Sequence, residues 1–333
     1  MKNMKKLLSI VLALAMLFSF AACAKKEEPQ KQEESVVDKW PQDTVTITLP
    51  VSAGGGNDLF CRVMADYLSK KTGGNFIVVN DTSGGSLAAY EVVRNAKPDG
   101  LNFFCYNTSA QVRQYTGMYT HDLETEFEIL GPTYAQKDGY VIVTKTGKPY
   151  KNWAEFVEYV KAHPGEVTKG CDNRGVPHLQ SALIEDKLGL DIVMRETTGG
   201  DPDKLAALLG DQFDISVMSA NQVTSYVENG DLTVLLFCSL ERSEKLPQFD
   251  CMADVGLEDV FIETYGFMAA PKGTDPELVK YINELIGGME NEKDCVDAFT
   301  NMNYYYKHLS VEDFRAKFHN SAELISNACK LIM

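Results

Sequence analysis

Basic residues are scarce in this sequence relative to acidic ones. Its 333 residues include 32 Lys and Arg against 47 Asp and Glu, which gives a formal net charge of -15 at pH 7. Phosphate backbones and anionic lipids repel a chain this acidic, so the composition argues against nucleic acid or a charged membrane surface as a partner. An anionic ligand would have to be bound by local positive potential and not by the field of the whole molecule.

Motifs for metal, nucleotide and catalytic chemistry are also absent from the sequence. The five histidines are scattered, and the seven cysteines after Cys23 lack metal-ligand spacing and cannot all pair with one another. Neither a GxxxxGKS/T sequence nor a GxGxxG sequence of the dinucleotide-binding form is present. No GxSxG or HExxH sequence and no Cys–His constellation occurs either. The sequence therefore predicts no metal site and no cofactor, and it does not indicate an enzyme.

A long apolar run occurs once, at the N-terminus. It follows three lysines, extends over 7–20 and ends at two alanines before Cys23. This order is typical of a secretory signal peptide over 1–22, because the run is too short and wrongly flanked for a membrane-spanning helix. The ending Phe20-Ala-Ala-Cys23 resembles a bacterial lipoprotein processing site, which implies that Cys23 is lipidated. An ordinary signal peptide cut near Ala22 is the alternative.

Residues 23–39 are predicted to form a flexible tether behind this lipidated cysteine. The segment is polar and has no aromatic residue, so it cannot bury apolar surface. Two or more acyl chains would hold it to a membrane, at roughly 0.8 kcal/mol for each buried CH₂ group. We therefore expect an extracytoplasmic protein, anchored to the outer face of the cell membrane or periplasmic, that contacts the membrane only through its lipid.

The remainder of the chain alternates strands and helices. Strands are predicted at 45–49, 76–79 and 101–106, with amphipathic helices at 59–70 and 87–96 between them. A similar alternation fills the middle of the chain, where Gly170 to Gly175 is predicted to be a turn. This order indicates α/β units in which helices cover a parallel sheet, with a ligand bound where the strands end.

Two glycine-rich segments lead from predicted strands into predicted helices. They are Ser52–Asp58 and Thr82–Ser86. Backbone N–H groups at a helix start form an anion site without any charged side chain, and two such starts on adjacent strands would suit the two oxygens of a carboxylate. A single segment of this kind is more often only a tight connection, and the signal comes from the occurrence of two in the same half of the chain. Asp58 has two interpretations as well, because it could accept a hydrogen bond from the ligand or cap the helix and fix the loop.

A series of short motifs connects these segments to a known family. The motifs are Pro50-x-x-x-Gly54-Gly55-x-x-Asp58-x-x-x-Arg62, Asn80-x-x-x-x-Gly85, Ala96-x-Pro98-Asp99-Gly100, His163-Pro164-Gly165, His178-Leu179, Leu208-Leu209-Gly210-x-Gln212-x-Asp214 and Ala270-Pro271-x-Gly273-Thr274. In this combination the chain resembles the solute-binding proteins of tripartite tricarboxylate transporters, the Bug family, over nearly its whole length from Trp40.

The resemblance implies a type II periplasmic-binding-protein fold of the α/β class, with two lobes, a ligand cleft and a hinge. Lobe 1 would comprise 40–134 plus 260–333, and lobe 2 would comprise 135–259. In the family, two loops of the first lobe grip one carboxylate, largely through backbone groups and bound water. The corresponding residues here are Val51, Ser52, Ala53, Gly54 and Gly55 in the first loop, and Ser83, Gly84, Gly85 and Ser86 in the second.

The other half of the predicted site departs from the family pattern. Asn173 and Arg174 stand where a Ser/Gly-rich turn is usual, and Thr198 begins a Thr-Gly-Gly sequence where Tyr-Lys-Gly is common. Arg174 could pair with a second ligand carboxylate, pair with Asp172, or face solvent. Asn107, Thr108 and Ser109, at the end of a predicted strand, could add hydrogen bonds to the ligand.

These features together predict a monomeric solute-binding lipoprotein that captures a small carboxylate by hinge closure and delivers it to a membrane permease. A sensory binding protein that presents its ligand to a receptor is the alternative, and a secreted hydrolase on a similar scaffold is a more remote one. The helix starts and Arg174 favour a dicarboxylate, but a monocarboxylate with hydroxyl groups fits nearly as well.

Overall fold

The computed structural model describes residues 36–136, 138–197, 200–302 and 304–333. The predicted signal peptide, the lipidation site Cys23 and the predicted site residue Thr198 lie outside the described residues. The end of the predicted tether, Val36–Lys39, forms one helical turn before the buried Trp40. No described helix combines the length and the apolar composition that crossing a membrane requires.

The described residues contain strands and helices in alternation. The strands are β1 Val45–Leu49, β2 Phe76–Asn80, β3 Asn102–Asn107, β4 Phe127–Gln136, β5 Tyr140–Lys145, β6 Thr168–Asp172, β7 Val193–Thr197, β8 Ile215–Ser219, β9 Leu232–Cys238, β10 Tyr265–Pro271 and β11 Tyr304–Tyr305. The helices are α1 Val36–Lys39, α2 Gly56–Thr72, α3 Ala88–Arg94, α4 Ser109–Tyr115, α5 Leu123–Glu126, α6 Trp153–Ala162, α7 Val176–Leu188, α8 Asp201–Leu209, α9 Ala220–Glu228, α10 Pro276–Gly287, α11 Lys293–Asn301 and α12 Val311–Ala328.

The first sheet has the strand order β11-β4-β10-β3-β1-β2. The apolar strand β1 is almost entirely buried, and it pairs in parallel with β2 on one side and β3 on the other. Because parallel strands end at the same edge of a sheet, the loops that follow β1, β2 and β3 are brought to one edge. Strand β10 pairs antiparallel with both β3 and β4 and completes the centre of the sheet.

The second sheet has the strand order β7-β6-β8-β5-β9. Strands β6, β7 and β8 are parallel, whereas β5 is antiparallel to both of its neighbours. The prediction of a parallel sheet is therefore confirmed for β1–β3 and β6–β8 but wrong for the remaining pairs, which are antiparallel. The cause is that β5 and β10 follow segments that cross from one sheet to the other and so enter their sheets in the reverse direction.

Strand β6 corrects a second expectation, because the segment from Gly170 onward was predicted to be a turn. Gly170 lies inside β6, and a Cβ atom at this position would approach the ring of Phe213 to 2.2 Å. The glycine is needed for this close packing and does not interrupt the strand. The turn begins only after Asp172, where the chain leads into α7.

Two segments connect the sheets, one between β4 and β5 and one between β9 and β10. The strands of the first sheet fall within 45–136 and 265–305, and those of the second within 140–238. Helix α12 spans both units, since Phe314 packs in the core of the first and Ile325 in the core of the second. The division into two lobes at 135 and 260 stays a prediction.

Candidate ligand-binding site

A cavity lies between the two sheets, at the edge where their strands end. It encloses about 420 Å³, including space that opens to solvent. Residues of both sheets line it: Val51, Ser52, Gly55, Gly56, Asn57, Tyr106, Asn107 and Ser109 from the first, and Tyr140, Asp172, Gly200, Asp201, Pro202 and Ser219 from the second. Of the predicted site residues, the cavity brings together Val51, Ser52, Gly55 and Asn107.

The start of helix α2 forms one wall of this cavity. Gly55 is its N-cap residue, and no side chain caps the helix. The first amides of an α-helix have no partner within the helix, and the helix dipole adds positive potential at the same place. Gly55, Gly56 and Asn57 all line the cavity, so this wall can accept an anionic group without a charged side chain.

A set of hydrogen bonds fixes the loop before α2. Asp58 accepts from the Gly54 amide at 2.9 Å and from Arg62 Nε at 3.0 Å. Arg62 also donates to Asn80 Oδ1 at 3.1 Å, and Asn80 Nδ2 donates to the Val51 carbonyl at 3.0 Å. Burial opposes ionisation of Asp58, but the bonds from Arg62 and Gly54 outweigh it and lower its pKa. Asp58 therefore fixes the loop, and it does not line the cavity.

The second predicted loop, Ser83–Ser86, has a different conformation from the first. Gly84, Gly85 and Ser86 all have positive φ angles, of 58°, 69° and 67°, so they form a left-handed turn and not the start of a helix. Helix α3 begins only at Ala88. These four residues are not among those that line the cavity, and neither are Ala53 and Gly54 of the first loop. Their contact with a ligand stays a prediction.

The end of β3 contributes one predicted site residue to the cavity and places another elsewhere. Asn107 lines the cavity, and its Oδ1 atom accepts from the Ser109 amide at 2.9 Å. Thr108 is fully buried, and its hydroxyl oxygen accepts from the Tyr265 amide at 3.1 Å. Thr108 thus joins β3 to the start of β10, at the point where the chain enters the first sheet from the second.

The second sheet places a buried ionic group at the cavity. Lys204 Nζ lies 2.8 Å from Asp172 Oδ2 and 2.8 Å from Asp201 Oδ1. Burial disfavours the charged amine, but the two carboxylates outweigh it and raise the pKa of Lys204 well above its ordinary value. Burial likewise opposes the charge of Asp201, whereas Lys204 and the bonds from Ser219 lower its pKa. Lys204 and Asp201 therefore form a charged pair, and Asp172 is the second carboxylate in contact with the same amine.

Two predicted residues at the turn after β6 lie outside the cavity lining. Arg174 has a φ angle of 52°, and its amide donates to His178 Nδ1 at 3.1 Å. Asp172 pairs with Lys204 and not with Arg174, so that alternative is wrong. Asn173, like Arg174, is not a lining residue. Burial, together with the charges of Lys169 and Arg174, lowers the pKa of His178 to about 4, so its ring is neutral at pH 7.

Comparison with known proteins agrees with this architecture. The sequence profile of TctC, described as "Tripartite tricarboxylate transporter family receptor", matches residues 60–314. The chain belongs to this family. A UPF0065 protein from the gbd 5' region of Cupriavidus necator is 27% identical over 85% of this chain and 86% of its own length. Protein BugT of Bordetella pertussis is 25% identical over 79% of this chain and 81% of its own.

Solved structures share the fold at lower identity. MatC from Rhodopseudomonas palustris with bound malate superposes with a TM-score of 0.77 at 19% identity, covering 88% of this chain and 100% of that one. A second R. palustris protein, with adipate, gives a TM-score of 0.79 at 19% identity and covers 88% and 98%. The family resemblance and the periplasmic-binding-protein fold are thereby confirmed. The chain is a transporter-family receptor and not an enzyme.

Sequence reasoning missed most of the second half of the cavity. It did not select Tyr106, Tyr140, Gly200, Asp201, Pro202 and Ser219. Gly56 and Asn57 fall within the first glycine-rich segment, Ser109 was predicted to add hydrogen bonds to the ligand, and Asp172 was considered only as a partner of Arg174. A signal was available for some of them, since helix α8 begins at Asp201-Pro202 directly after Gly200, and helix α9 follows Ser219 directly. Both are helix starts after strands or glycine turns, the same feature that identified the first loop.

Proposed function

We propose that this receptor captures a small carboxylate in the cavity between its two sheets and delivers it to a membrane permease. The observation that carries the proposal is the uncapped start of helix α2, whose Gly55, Gly56 and Asn57 line the cavity. Carboxylate oxygens are strong acceptors for such amides. Proteins of the same fold hold malate and adipate, which supports a small organic acid as the ligand.

Capture would proceed by closure of the two lobes around the acid. The ligand contacts both sheets in the closed form and only one in the open form, so its binding favours closure. The permease would then recognise the closed receptor. The loop residues Val51, Ser52 and Gly55, together with Asn107, are the predicted ligand contacts that the cavity supports best.

The decisive test is a binding experiment on the mature protein without its lipid. Isothermal titration against di- and tricarboxylates, aromatic acids and acidic amino acids should give one-site binding with at least one of them. Binding of a sugar or of a metal ion, with no heat from any acid, would overturn the proposal.

A single substitution tests the position of the carboxylate. Gly55 has φ −77° and ψ 165°, which any residue can adopt, and a Cβ atom there would meet its nearest neighbours at 3.7 and 3.8 Å. In Gly55→Asp, the new side chain would cap α2 and occupy the amides that the ligand needs. We expect loss of acid binding with little change in stability. Asn152→Asp is the matched control, because Asn152 is the exposed N-cap residue of α6. Unaltered binding by Gly55→Asp would exclude the helix start as the site.

The anchor and the partner need tests in the producing cell. We propose that the chain is processed at Cys23, with residues 1–22 removed, and held at the outer face of the membrane by lipid. Cys23→Ser should release the protein from the membrane fraction. Uptake of the bound acid should require both the receptor and a permease. If uptake is independent of the receptor while a transcriptional response to the acid requires it, the sensory alternative is correct.

A further inference from the structure

The charged residues of the cavity wall indicate the chemical class of the ligand more specifically than the fold does. Among the described residues that line the cavity, the charged ones are Asp172 and Asp201, and no Lys, Arg or His is among them. A wall with two carboxylates is unexpected in a receptor whose proposed ligand is an anion. The wall therefore indicates a ligand that also carries a positive group.

The lysine beside these carboxylates is already fully bonded. Lys204 Nζ donates to Asp172 and Asp201 and also to the Val217 carbonyl at 3.0 Å, which uses its three N–H bonds. The side chain of Lys204 is 0% exposed, whereas that of Asp172 is 22% exposed. The group thus presents carboxylate oxygen and not ammonium to the cavity, and its net charge is negative.

A buried cation of the first lobe lies behind the opposite wall. Arg113 is nine-tenths buried, and its guanidinium lies 5.2 Å from the centre of the Tyr106 ring, which lines the cavity. Its Nη1 atom donates to the Ser86 carbonyl at 3.4 Å, and its Nε atom is buried without a hydrogen-bond partner. The first lobe therefore contributes positive potential from Arg113 and from the start of α2, whereas the charged side chains that the second lobe places in the lining are both carboxylates.

We infer that the ligand is an amino-carboxylic acid bound as a zwitterion, with its carboxylate at the amides of Gly55–Asn57 and its ammonium group at Asp172 and Asp201. This inference rests on the proposed function and specifies its ligand class. A dicarboxylate without an amine would place its second negative charge against the two aspartates, with no free cation in the lining to compensate.

The first experiment needs only the unmodified protein. Ligands would be titrated calorimetrically in matched series that differ at one carbon substituent, namely L-aspartate, L-malate and succinate; L-alanine, L-lactate and propionate; and L-phenylalanine, phenyllactate and phenylpropionate. In at least one series the amino acid should bind at least about 30-fold more tightly than its hydroxyl and unsubstituted analogues. Without the ammonium group, the desolvated aspartates would lack their charged partner, which is costly. EDTA in the buffer excludes a metal ion that bridges the aspartates to an acid.

The second experiment uses Asp172→Asn, which keeps the shape of the side chain and removes its charge. The preference for the amine within the binding series should fall by about 10-fold or more. Asp211→Asn is the matched control. Asp211 is an exposed aspartate that also pairs with a lysine, Lys145, but it does not line the cavity. If Asp172→Asn does not fold, the ligand series on the unmodified protein decides alone.

The outcomes separate this inference from the function on which it rests. Acids without an amine that bind as tightly as the amino acids, or only when a divalent cation is supplied, would overturn the zwitterion and leave acid capture intact. An unchanged preference for the amine in a folded Asp172→Asn variant would overturn the role of Asp172. If none of the acids binds in any series, the proposed function fails and the inference fails with it.

Discussion

The amide of Val176 donates a hydrogen bond to Ser109 Oγ at 3.0 Å, and this bond joins the two halves of the molecule. Ser109 begins α4 after a strand of the first sheet, and Val176 begins α7 after a strand of the second. Gly175, the N-cap residue of α7, provides no capping side chain, so Ser109 supplies the cap from across the cleft. The bond is buried, and opening the cleft would break it.

Ser109→Ala should therefore favour the open form of the receptor. A single buried hydrogen bond stabilises by about 1 kcal/mol, so we expect the affinity for the ligand to fall about 5-fold. Small-angle scattering of the ligand-free protein should show a larger radius of gyration than that of the unmodified protein. Ser225→Ala, an exposed serine on α9, is the control for the same chemical change. Equal radii for Ser109→Ala and Ser225→Ala would mean that this bond does not hold the lobes together.

Asn80 should control ligand binding without touching the cavity. It connects the Val51 carbonyl to Arg62, so Asn80→Ala frees the loop that precedes α2. We expect the affinity for the acid to fall by 3- to 10-fold, because the hydrogen bonds that order the loop contribute about 1 kcal/mol to binding. Asn75→Ala is the control, because Asn75 also donates a side-chain hydrogen bond, but to Thr44 at an exposed position away from the cavity. Calorimetric titration of both variants checks the prediction, which is wrong if they bind equally well.

Lys204 should contribute far more to stability than an exposed lysine in a similar pair. Lys204→Met leaves the partly buried Asp172 and Asp201 side by side without a counter-charge, which costs about 3–5 kcal/mol. Lys145→Met removes the exposed pair with Asp211 and should cost less than about 1 kcal/mol. Urea unfolding of both variants at pH 7 measures the difference. Similar losses in the free energy of unfolding would show that the buried group is not a stabilising network.

The first half of the site was predictable because its signal is local. Strand β1 is a short apolar run, the glycines follow it closely, and the regularly spaced apolar residues of α2 come immediately after them. The partners Asp58 and Arg62 are four residues apart on that helix, so their contact follows from helix geometry alone. The residues of the family motif in this segment therefore form a single loop together with the hydrogen bonds that hold it in place.

The second half was not predictable in the same way, because its contacts depend on tertiary structure. Lys204 and Asp172 are distant in sequence and meet only because α8 packs beside the end of β6. From sequence alone Gly170 indicates a turn, and only its packing against Phe213 in the folded protein explains the glycine. Likewise, nothing local distinguishes the left-handed turn at Ser83–Ser86 from the helix start that its glycines resemble.

His178 should make the protein less stable as the pH falls. Burial first, and then Lys169 and Arg174, lower its pKa in the folded protein to about 4, whereas the unfolded chain takes up a proton near pH 6.5. Between these values the unfolded state binds more protons, so acidification favours unfolding, by up to about 3 kcal/mol at pH 4. Urea unfolding at pH 7, 6, 5 and 4 should show this loss, and His178→Gln should remove it. His319→Gln, at an exposed histidine on α12, should leave it intact. If His178→Gln shows the same pH dependence as the unmodified protein, His178 is not the group that titrates.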